Sequence, residues 1–451
     1  MLAFAVFAVA ATIAPAVPQG TSAYIAPAKP PVRTVVDAVS QKNLETTVRR
    51  LAAFPTRHTL SGAGGVDAAA SYLEAEFQTI AKNSGGQLQV RRQTWTETAG
   101  ARVPKPAELT NVLAVLPGTA VPERVIVLSG HYDSRVTDVL DFQSPAPGAN
   151  DDASGVAATL EAARVMATSG KRYAATVIFA AVTGEEQGLL GSAHLAKSLQ
   201  SDGKTVIAML TNDIVGNSRG ENGKKNASHV RVFSAGYDPG VETAALARQR
   251  AAGTDADSPA RLLARATKDA ARRNVSGFGV ELVYRNDRYG RGGDHSSFLT
   301  NGFPPAVRLT EPSENFRHQH QNVRVENGVV YGDLAEFVDF AYLRRVTQVN
   351  AALVAELASA PASPTNVRLI SDLSAKTALS WDAPAEPVSG YEILLRRTTA
   401  PDWEKTVTVK SSDTRAVLPF SKDDYLFAVR SVGADGARSL PIVPVSTLVS
   451  R

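Results

Sequence analysis

The stretch from Thr176 to Leu199 reads TVIFAAVTGEEQGLLGSAHLAKSL. Its first six residues form an uncharged, apolar run, which is the pattern of a β-strand buried on both faces. Gly184 interrupts this run, two adjacent glutamates follow, and apolar residues then recur at helical spacing. The stretch therefore predicts a strand, an acidic loop and a helix. Ligands bind at the carboxyl ends of strands in open α/β sheets, and because adjacent carboxylates repel, a positive group is expected beside the two glutamates.

Two other predicted strands also end in chemically active side chains. Residues 124–129 form an apolar run that leads to His131 and Asp133, which are two residues apart and share one side of an extended backbone. Residues 205–210 form another such run, which leads to Asp213. A carboxylate that accepts the second ring N–H of a histidine is a common partner of a metal ligand. Three buried strands therefore deliver histidine or carboxylate at one end of the predicted sheet.

Composition narrows the kinds of chemistry that this site could perform. The chain has 451 residues, which predicts two or three domains, and its 48 basic residues against 44 acidic ones are dispersed. No basic cluster is interleaved with aromatic residues, so we expect no nucleic-acid partner. The chain has no cysteine, and any metal must therefore be held by histidines and carboxylates.

Composition also changes along the chain. Residues 1–23 are apolar and end in small residues, which predicts a signal peptide, although no Lys or Arg precedes Lys29. No later stretch is apolar and long enough to span a bilayer, so we expect no membrane span in the mature chain. Residues 358–364 (ASAPASP) form a linker between an α/β domain at 35–357 and short alternating strands at 365–451, which predict a small all-β sandwich.

The candidate site residues suit a hydrolytic metal centre. A pair of carboxylates, Asp151 and Asp152, precedes a predicted helix and joins the residues at the strand ends. Two histidines and three carboxylates suit two divalent metal ions with a shared aspartate and a bridging water. A remaining carboxylate could take a proton from that water and pass it to a leaving group.

Four motifs in order resemble the M28 metallopeptidases, typified by bacterial leucyl-type aminopeptidases: GHYDS at 130–134, NDDASG at 150–155, TGEEQGLLGS at 183–192 and GGDHSSF at 292–298. The resemblance covers roughly residues 35–357. It implies an α/β fold with a mixed, mostly parallel β-sheet flanked by helices. It also implies two zinc ions, with Glu185 as the general base on the metal-bridging water and Asp133 as the partner of His131. The metal ligands that it implies are His131, Asp151 as the bridging residue, Glu186, Asp213 and a late histidine.

The late histidine has more than one candidate. In the family, the ligand follows the strand after the GGDHSSF segment, and an Asp usually stands four residues later; His295 within that segment lines the site without binding metal. His318 has Asn322 at this offset, whereas His320 has Arg324. The sequence therefore favours His318 over His320.

The C-terminal region resembles a fibronectin type III domain, with Trp381, Tyr391 and Tyr425 at the characteristic aromatic positions. Its expected role is packing or solubility, and contact with a surface or a polymer is an alternative. The whole chain is expected to be a secreted or periplasmic aminopeptidase that acts on peptides. A single-zinc glutaminyl cyclase on the same scaffold is one alternative. A metallocarboxypeptidase is another, because a loop with Arg285, Arg288 and Arg291 could seat a substrate carboxylate.

Overall fold

The structure, a computed structural model, describes residues 32–237, 243–370 and 372–447. The predicted signal peptide at 1–23 lies outside the described residues. The sequence also predicts a helix at residues 241–251, and the first two of these lie outside the described residues as well. In the described part of the chain, no helix combines the length and the apolar character needed to cross a bilayer.

The helices are α1 (Val32–Asp37), α2 (Gln41–Ala52), α3 (Val66–Asn83), α4 (Ala153–Ala167), α5 (Leu190–Ser201), α6 (Thr243–Ala251), α7 (Pro259–Asn274), α8 (His295–Thr300) and α9 (Phe340–Ser359). The strands before α9 are β1 (Gln89–Glu97), β2 (Ala107–Leu116), β3 (Val121–His131), β4 (Ala175–Val182), β5 (Thr205–Asn212), β6 (His229–Ser234), β7 (Gly279–Val283), β8 (Ala306–Thr310), β9 (Arg324–Glu326) and β10 (Val329–Tyr331). The strands after α9 are β11 (Thr365–Ile370), β12 (Thr377–Asp382), β13 (Gly390–Arg397), β14 (Lys405–Lys410), β15 (Arg415–Leu418), β16 (Tyr425–Val432) and β17 (Val445–Ser446).

An eight-stranded sheet with the order β1-β2-β4-β3-β5-β8-β6-β7 forms the centre of the first part of the chain. Strands β4, β3, β5 and β8 are parallel neighbours, and β6 pairs in parallel with β7. The pairs β1–β2, β2–β4 and β6–β8 are antiparallel. The predicted mixed, mostly parallel sheet is confirmed.

The buried strands feed two cores, one on each face of the sheet. On β3, Ile126 and Leu128 pack into a core shared with α4 and α9, whereas Val125 and Val127 pack into a second core with α5 and α8. Every residue of β4 is buried. Alternate side chains of one strand point to opposite faces, which is why the continuous apolar run of β4 requires helices on both sides.

The strands after α9 form a small all-β sandwich, as predicted. One sheet has the order β15-β12-β11-β17 and the other β14-β13-β16. Trp381 on β12 meets Tyr391 on β13 edge-to-face, with ring centroids 5.2 Å apart. Leu262 of α7 packs with residues of this sandwich, so the two parts of the chain share a contact.

Two predicted helices have different limits in the structure. The apolar spacing of residues 35–54 predicts one amphipathic helix. The structure has two, α1 and α2, because the Ser40 hydroxyl caps α2 by accepting a hydrogen bond from the Asn43 N–H. The apolar spacing from Leu334 to Leu357 predicts a long helix, whereas α9 begins at Phe340. Asp339 is its N-cap residue and accepts from the Tyr342 N–H at 3.1 Å.

Candidate metal centre

Residues at the carboxyl ends of three adjacent parallel strands form the centre of the site. His131 is the last residue of β3, Glu185 and Glu186 follow β4, and Asp213 follows β5. Because β4, β3 and β5 are parallel neighbours, their carboxyl ends lie at one edge of the sheet. Gly184, with a φ of +68°, turns the chain between β4 and the glutamates.

Asp151 reaches this edge because α4 approaches β3 very closely. A Cβ placed on Gly130 would lie 2.4 Å from the backbone of Gly155, so only glycine allows this approach. The carboxylate of Asp152 joins the same elements, because it accepts hydrogen bonds from the N–H groups of His131 (3.0 Å), Gly155 (3.0 Å) and Ile214 (3.2 Å). Of the adjacent aspartates, Asp152 therefore holds the backbone together and Asp151 is left for the site.

The Asp151 backbone has a second anchor. Both Asn150 and Asp151 donate their N–H groups to the carboxylate of Asp333, at distances of 2.7–3.0 Å. Burial raises the pKa of Asp333 to about 7, although these two N–H donors lower it. The sequence did not reveal Asp333, because its neighbours in the chain form no recognisable motif and its partner Asp151 lies 182 residues earlier.

The side chains form two groups of possible metal ligands that share Asp151. In one group, donor atoms of His131, Asp151 and Asp213 all lie within 4.8 Å of one another. In the other, donor atoms of Asp151, Glu186 and His320 do so. The Nε2 atom of His131 is 3.2 Å from Oδ1 of Asp151, whereas the Nε2 atom of His320 is 2.9 Å from its Oδ2. Each carboxylate oxygen of Asp151 thus faces one histidine.

The sequence favours His318 as the late histidine, but the structure places His320, and not His318, beside the other candidate ligands. The Nε2 atom of His320 lies 3.0 Å from Oε1 of Glu186. The ring of His318 instead stacks on Phe337, with centroids 3.7 Å apart and planes inclined by 7°. His320 has a φ of +53°, a left-handed conformation that turns the chain at this residue.

Asp133 and Glu185 are both beside the two groups. The carboxylate of Asp133 accepts hydrogen bonds from the N–H groups of Glu185 at 3.3 Å and Glu186 at 3.1 Å, so it orients the glutamate pair. It lies 3.6 Å from Nδ1 of His131, and the Asp133 backbone carbonyl is nearer, at 3.1 Å. Oε2 of Glu185 is 4.0 Å from Nε2 of His131 and borders a cavity above the site.

Burial and neighbouring charges shift the pKa values of the acidic groups in the site in opposite directions. Burial raises the pKa of Glu185 well above its usual value, and the neighbouring carboxylates of Glu186 and Asp213 raise it further, although His131 opposes them. Burial alone would also raise the pKa of Asp151, but His320 and His131 hold it well below its usual value. The site therefore holds acidic groups whose charges need more positive charge nearby.

Two arginines that the sequence did not reveal supply part of that charge. Nε of Arg135 is 2.8 Å from Oε2 of Glu186. Nη2 of Arg308, a fully buried side chain on β8, is 2.8 Å from Oδ1 of Asp213. The sequence indicated only that a positive group should lie beside the two glutamates, and it did not identify either arginine.

The donors present suit zinc in both groups. Each group offers one imidazole nitrogen, one terminal carboxylate and an oxygen of the shared Asp151, which are hard and borderline ligands that zinc accepts. Two of the donor atoms, Nε2 of His131 and Oε1 of Glu186, are buried and form no hydrogen bond of good geometry among the described residues. Each instead faces another candidate ligand atom, Oδ1 of Asp151 at 3.2 Å and Nε2 of His320 at 3.0 Å. Buried polar atoms usually have well-formed hydrogen bonds, and donor atoms that converge without them suit a shared cation.

The fold and the site together define a metal-dependent hydrolase. The sequence profile of peptidase family M28 matches residues 111–324. A probable zinc metalloprotease of Leptosphaeria maculans is 45% identical over 420 residues, which are 92% of this chain and 96% of that protein. A second probable zinc metalloprotease, from Pyrenophora teres f. teres, is 45% identical over 421 residues, which cover 92% of this chain and 86% of the relative.

Among solved structures, the LapA aminopeptidase of Legionella pneumophila has a similar fold, with a TM-score of 0.54 and 21% identity, covering 73% of this chain and 74% of that one. The chain belongs to peptidase family M28, which confirms the resemblance seen in the sequence. It is a zinc metallopeptidase.

Proposed function

We propose that the protein is a secreted aminopeptidase that holds two zinc ions and removes residues from the N-termini of peptides. The observation that carries the proposal is the pair of ligand groups that share Asp151, one of them with His131 and the other with His320. A shared carboxylate between two similar groups suits a two-metal site better than the single zinc of a cyclase.

The chain's own residues have separate tasks in this proposal. His131, Asp151 and Asp213 would hold one zinc, and Asp151, Glu186 and His320 the other. Bound zinc would lower the pKa of water and polarise the scissile carbonyl. Glu185 borders the cavity with its side chain 12% exposed, so its carboxylate can take a proton from the attacking water and deliver it to the leaving amine. Asp133 holds the backbone that carries Glu185.

The Glu185→Gln variant tests the mechanism. A neutral amide cannot accept the proton, so we expect zinc content as in the wild type and a loss of nearly all turnover of aminoacyl-p-nitroanilides. Glu281→Gln, an exposed position on β7, is the matched control and should behave as the wild type. Full activity of Glu185→Gln would remove Glu185 from the mechanism.

Elemental analysis and a substrate panel test the rest of the proposal. We expect about two zinc ions per chain, as the two ligand groups require; one per chain would favour the cyclase. N-acetylation protects a peptide from an aminopeptidase but not from a carboxypeptidase. Release of the C-terminal residue from an N-acetylated peptide would therefore overturn the aminopeptidase assignment.

A carboxypeptidase remains the second candidate for one structural reason. Arg288 and Arg291 line the cavity above the zinc ligands, where a substrate carboxylate could meet them. Arg285 does not line it, and its guanidinium lies over the exposed ring of Tyr289.

A further inference from the structure

The cavity above the metal centre has an acidic floor and a basic wall. It has a volume of about 740 Å³, and four arginines border it: Arg102, Arg135, Arg288 and Arg291. Arg135 pairs with Glu186 of the site itself, and Arg288 and Arg291 approach Glu314. Positive charge that these carboxylates leave uncompensated would act on a substrate in the cavity.

One side of this wall has more cations than anions. Arg231, Arg288 and Arg291 all approach the carboxylate of Glu314, at 2.5, 3.0 and 3.6 Å. The next carboxylate, Asp287, is itself shared between Arg288 and the buried Arg308. Charge pairing inside the wall is therefore incomplete on this side.

Arg102 is the least compensated cation of the wall. It lies in the turn between β1 and β2, and its Nη1 donates to the backbone carbonyl of Glu186 at 2.9 Å. Within residues 32–237, 243–370 and 372–447, no carboxylate lies within ion-pair distance of it. By contrast, Arg135 is committed to the carboxylate of Glu186. The remaining N–H groups of Arg102 are thus available beside a metal ligand.

We propose, on the basis of the peptidase function above, that this wall is a carboxylate subsite and that Arg102 determines specificity. The substrates are then peptides that carry a carboxylate next to the scissile bond. A planar guanidinium binds such a group with two parallel, charge-assisted hydrogen bonds. The surplus positive charge around Arg288 and Arg291 would also raise the local concentration of an anionic substrate.

The carboxylate can come from an acidic side chain or from the C-terminus of a short peptide. Comparing the cleavage of Glu-Ala-Ala amide with that of Gln-Ala-Ala amide measures the effect of a side-chain carboxylate. Comparing Leu-Ala, which has a free C-terminus, with Leu-Ala amide measures the effect of the terminal carboxylate. We expect the wild type to prefer the charged member of at least one pair by about tenfold in kcat/KM, the size of one charge-assisted hydrogen bond at a partly exposed site. In Arg102→Gln this preference should fall to near unity.

Lys105→Gln is the matched control, because Lys105 is exposed, lies in the same turn and carries the same charge. It should keep the wild-type ratio. Cleavage of both members of each pair at equal rates would overturn the subsite and leave the peptidase function intact. Retention of the ratio in Arg102→Gln would overturn the role of Arg102.

Calorimetric binding to the zinc-loaded Glu185→Gln protein separates this proposal from the proposed catalysis. If the subsite exists, the charged member of one pair should bind about tenfold more tightly than the neutral one, whether or not the wild type cleaves either. Equal affinities would refute the subsite. Absence of cleavage of every peptide by the zinc-loaded wild type would refute the proposed aminopeptidase function alone.

Discussion

Replacement of Asp257 by Asn should strongly destabilise the protein, because this carboxylate neutralises two buried arginines. Oδ1 of Asp257 lies 2.6 Å from Nη1 of Arg265 on α7 and 2.9 Å from Nη2 of Arg396 on β13. Asp257 and both arginine side chains are at most 5% exposed. The contact joins the helical part of the chain to the β-sandwich across 139 residues.

The magnitude follows from what remains after the substitution. Asn can accept a hydrogen bond from one guanidinium, but its NH₂ group would face the other, and two buried cations would lose their only carboxylate among the described residues. Breaking a buried ion pair by removing one partner costs about 3–5 kcal/mol. We therefore expect a decrease of about this size in the free energy of unfolding, to which both parts of the chain contribute.

Urea unfolding followed by tryptophan fluorescence measures this loss. Trp403 is a suitable reporter, because the guanidinium of Arg265 lies 5.6 Å and that of Arg396 5.8 Å from its ring centroid. Asp402→Asn is the control, since Asp402 pairs with Lys268 of the same helix but is 31% exposed. It should cost less than about 1 kcal/mol. Equal effects of the two substitutions would refute the argument from burial.

Three further predictions concern the metal centre. Asp133→Asn removes one of the two oxygens that accept hydrogen bonds from the N–H groups of Glu185 and Glu186, and it should weaken zinc binding about 10–100-fold. A competition titration with a chromogenic chelator measures this affinity, and an unchanged value would contradict the prediction. Arg57 is fully buried and donates to the backbone carbonyls of Tyr132, beside His131, and of Gly148, shortly before Asp151. Arg57→Lys should therefore lower the free energy of unfolding by about 2–4 kcal/mol, measured by urea unfolding, and a loss below 1 kcal/mol would be inconsistent with these bonds. Nη2 of Arg135 lies 2.6 Å from Nδ1 of His320, and because arginine can only donate, it competes with the Nδ1–H that a zinc-bound imidazole needs. In a zinc titration, Arg135→Gln should therefore tighten binding at the ligand group that contains His320 about tenfold. Weaker binding in this variant would show that Arg135 supports the site.

The strand ends were predictable because each is encoded locally. An apolar run that closes with His131 or Asp213 specifies both a buried strand and the side chain at its end. Parallel pairing then brings those ends to one edge, whatever the loops between them do. The same logic predicted that the acids after β4 would join them. Glu186 lies with His320 and Asp151, as that reasoning requires.

The choice between His318 and His320 could not be made by the same logic. It depends on residues that the chain places far away. The hydroxyl of Thr137 donates to the backbone carbonyl of His320 at 2.9 Å, across 183 residues, and Arg135 contacts its ring across 185 residues. Residue spacing from a motif contains no information about these two contacts. The stack of its ring on Phe337 also holds His318 away from the other candidate ligands. The segment after β3 therefore contacts both Glu186 and His320. Which histidine lies beside Glu186 depends on these long-range contacts of the folded loop and not on the local spacing.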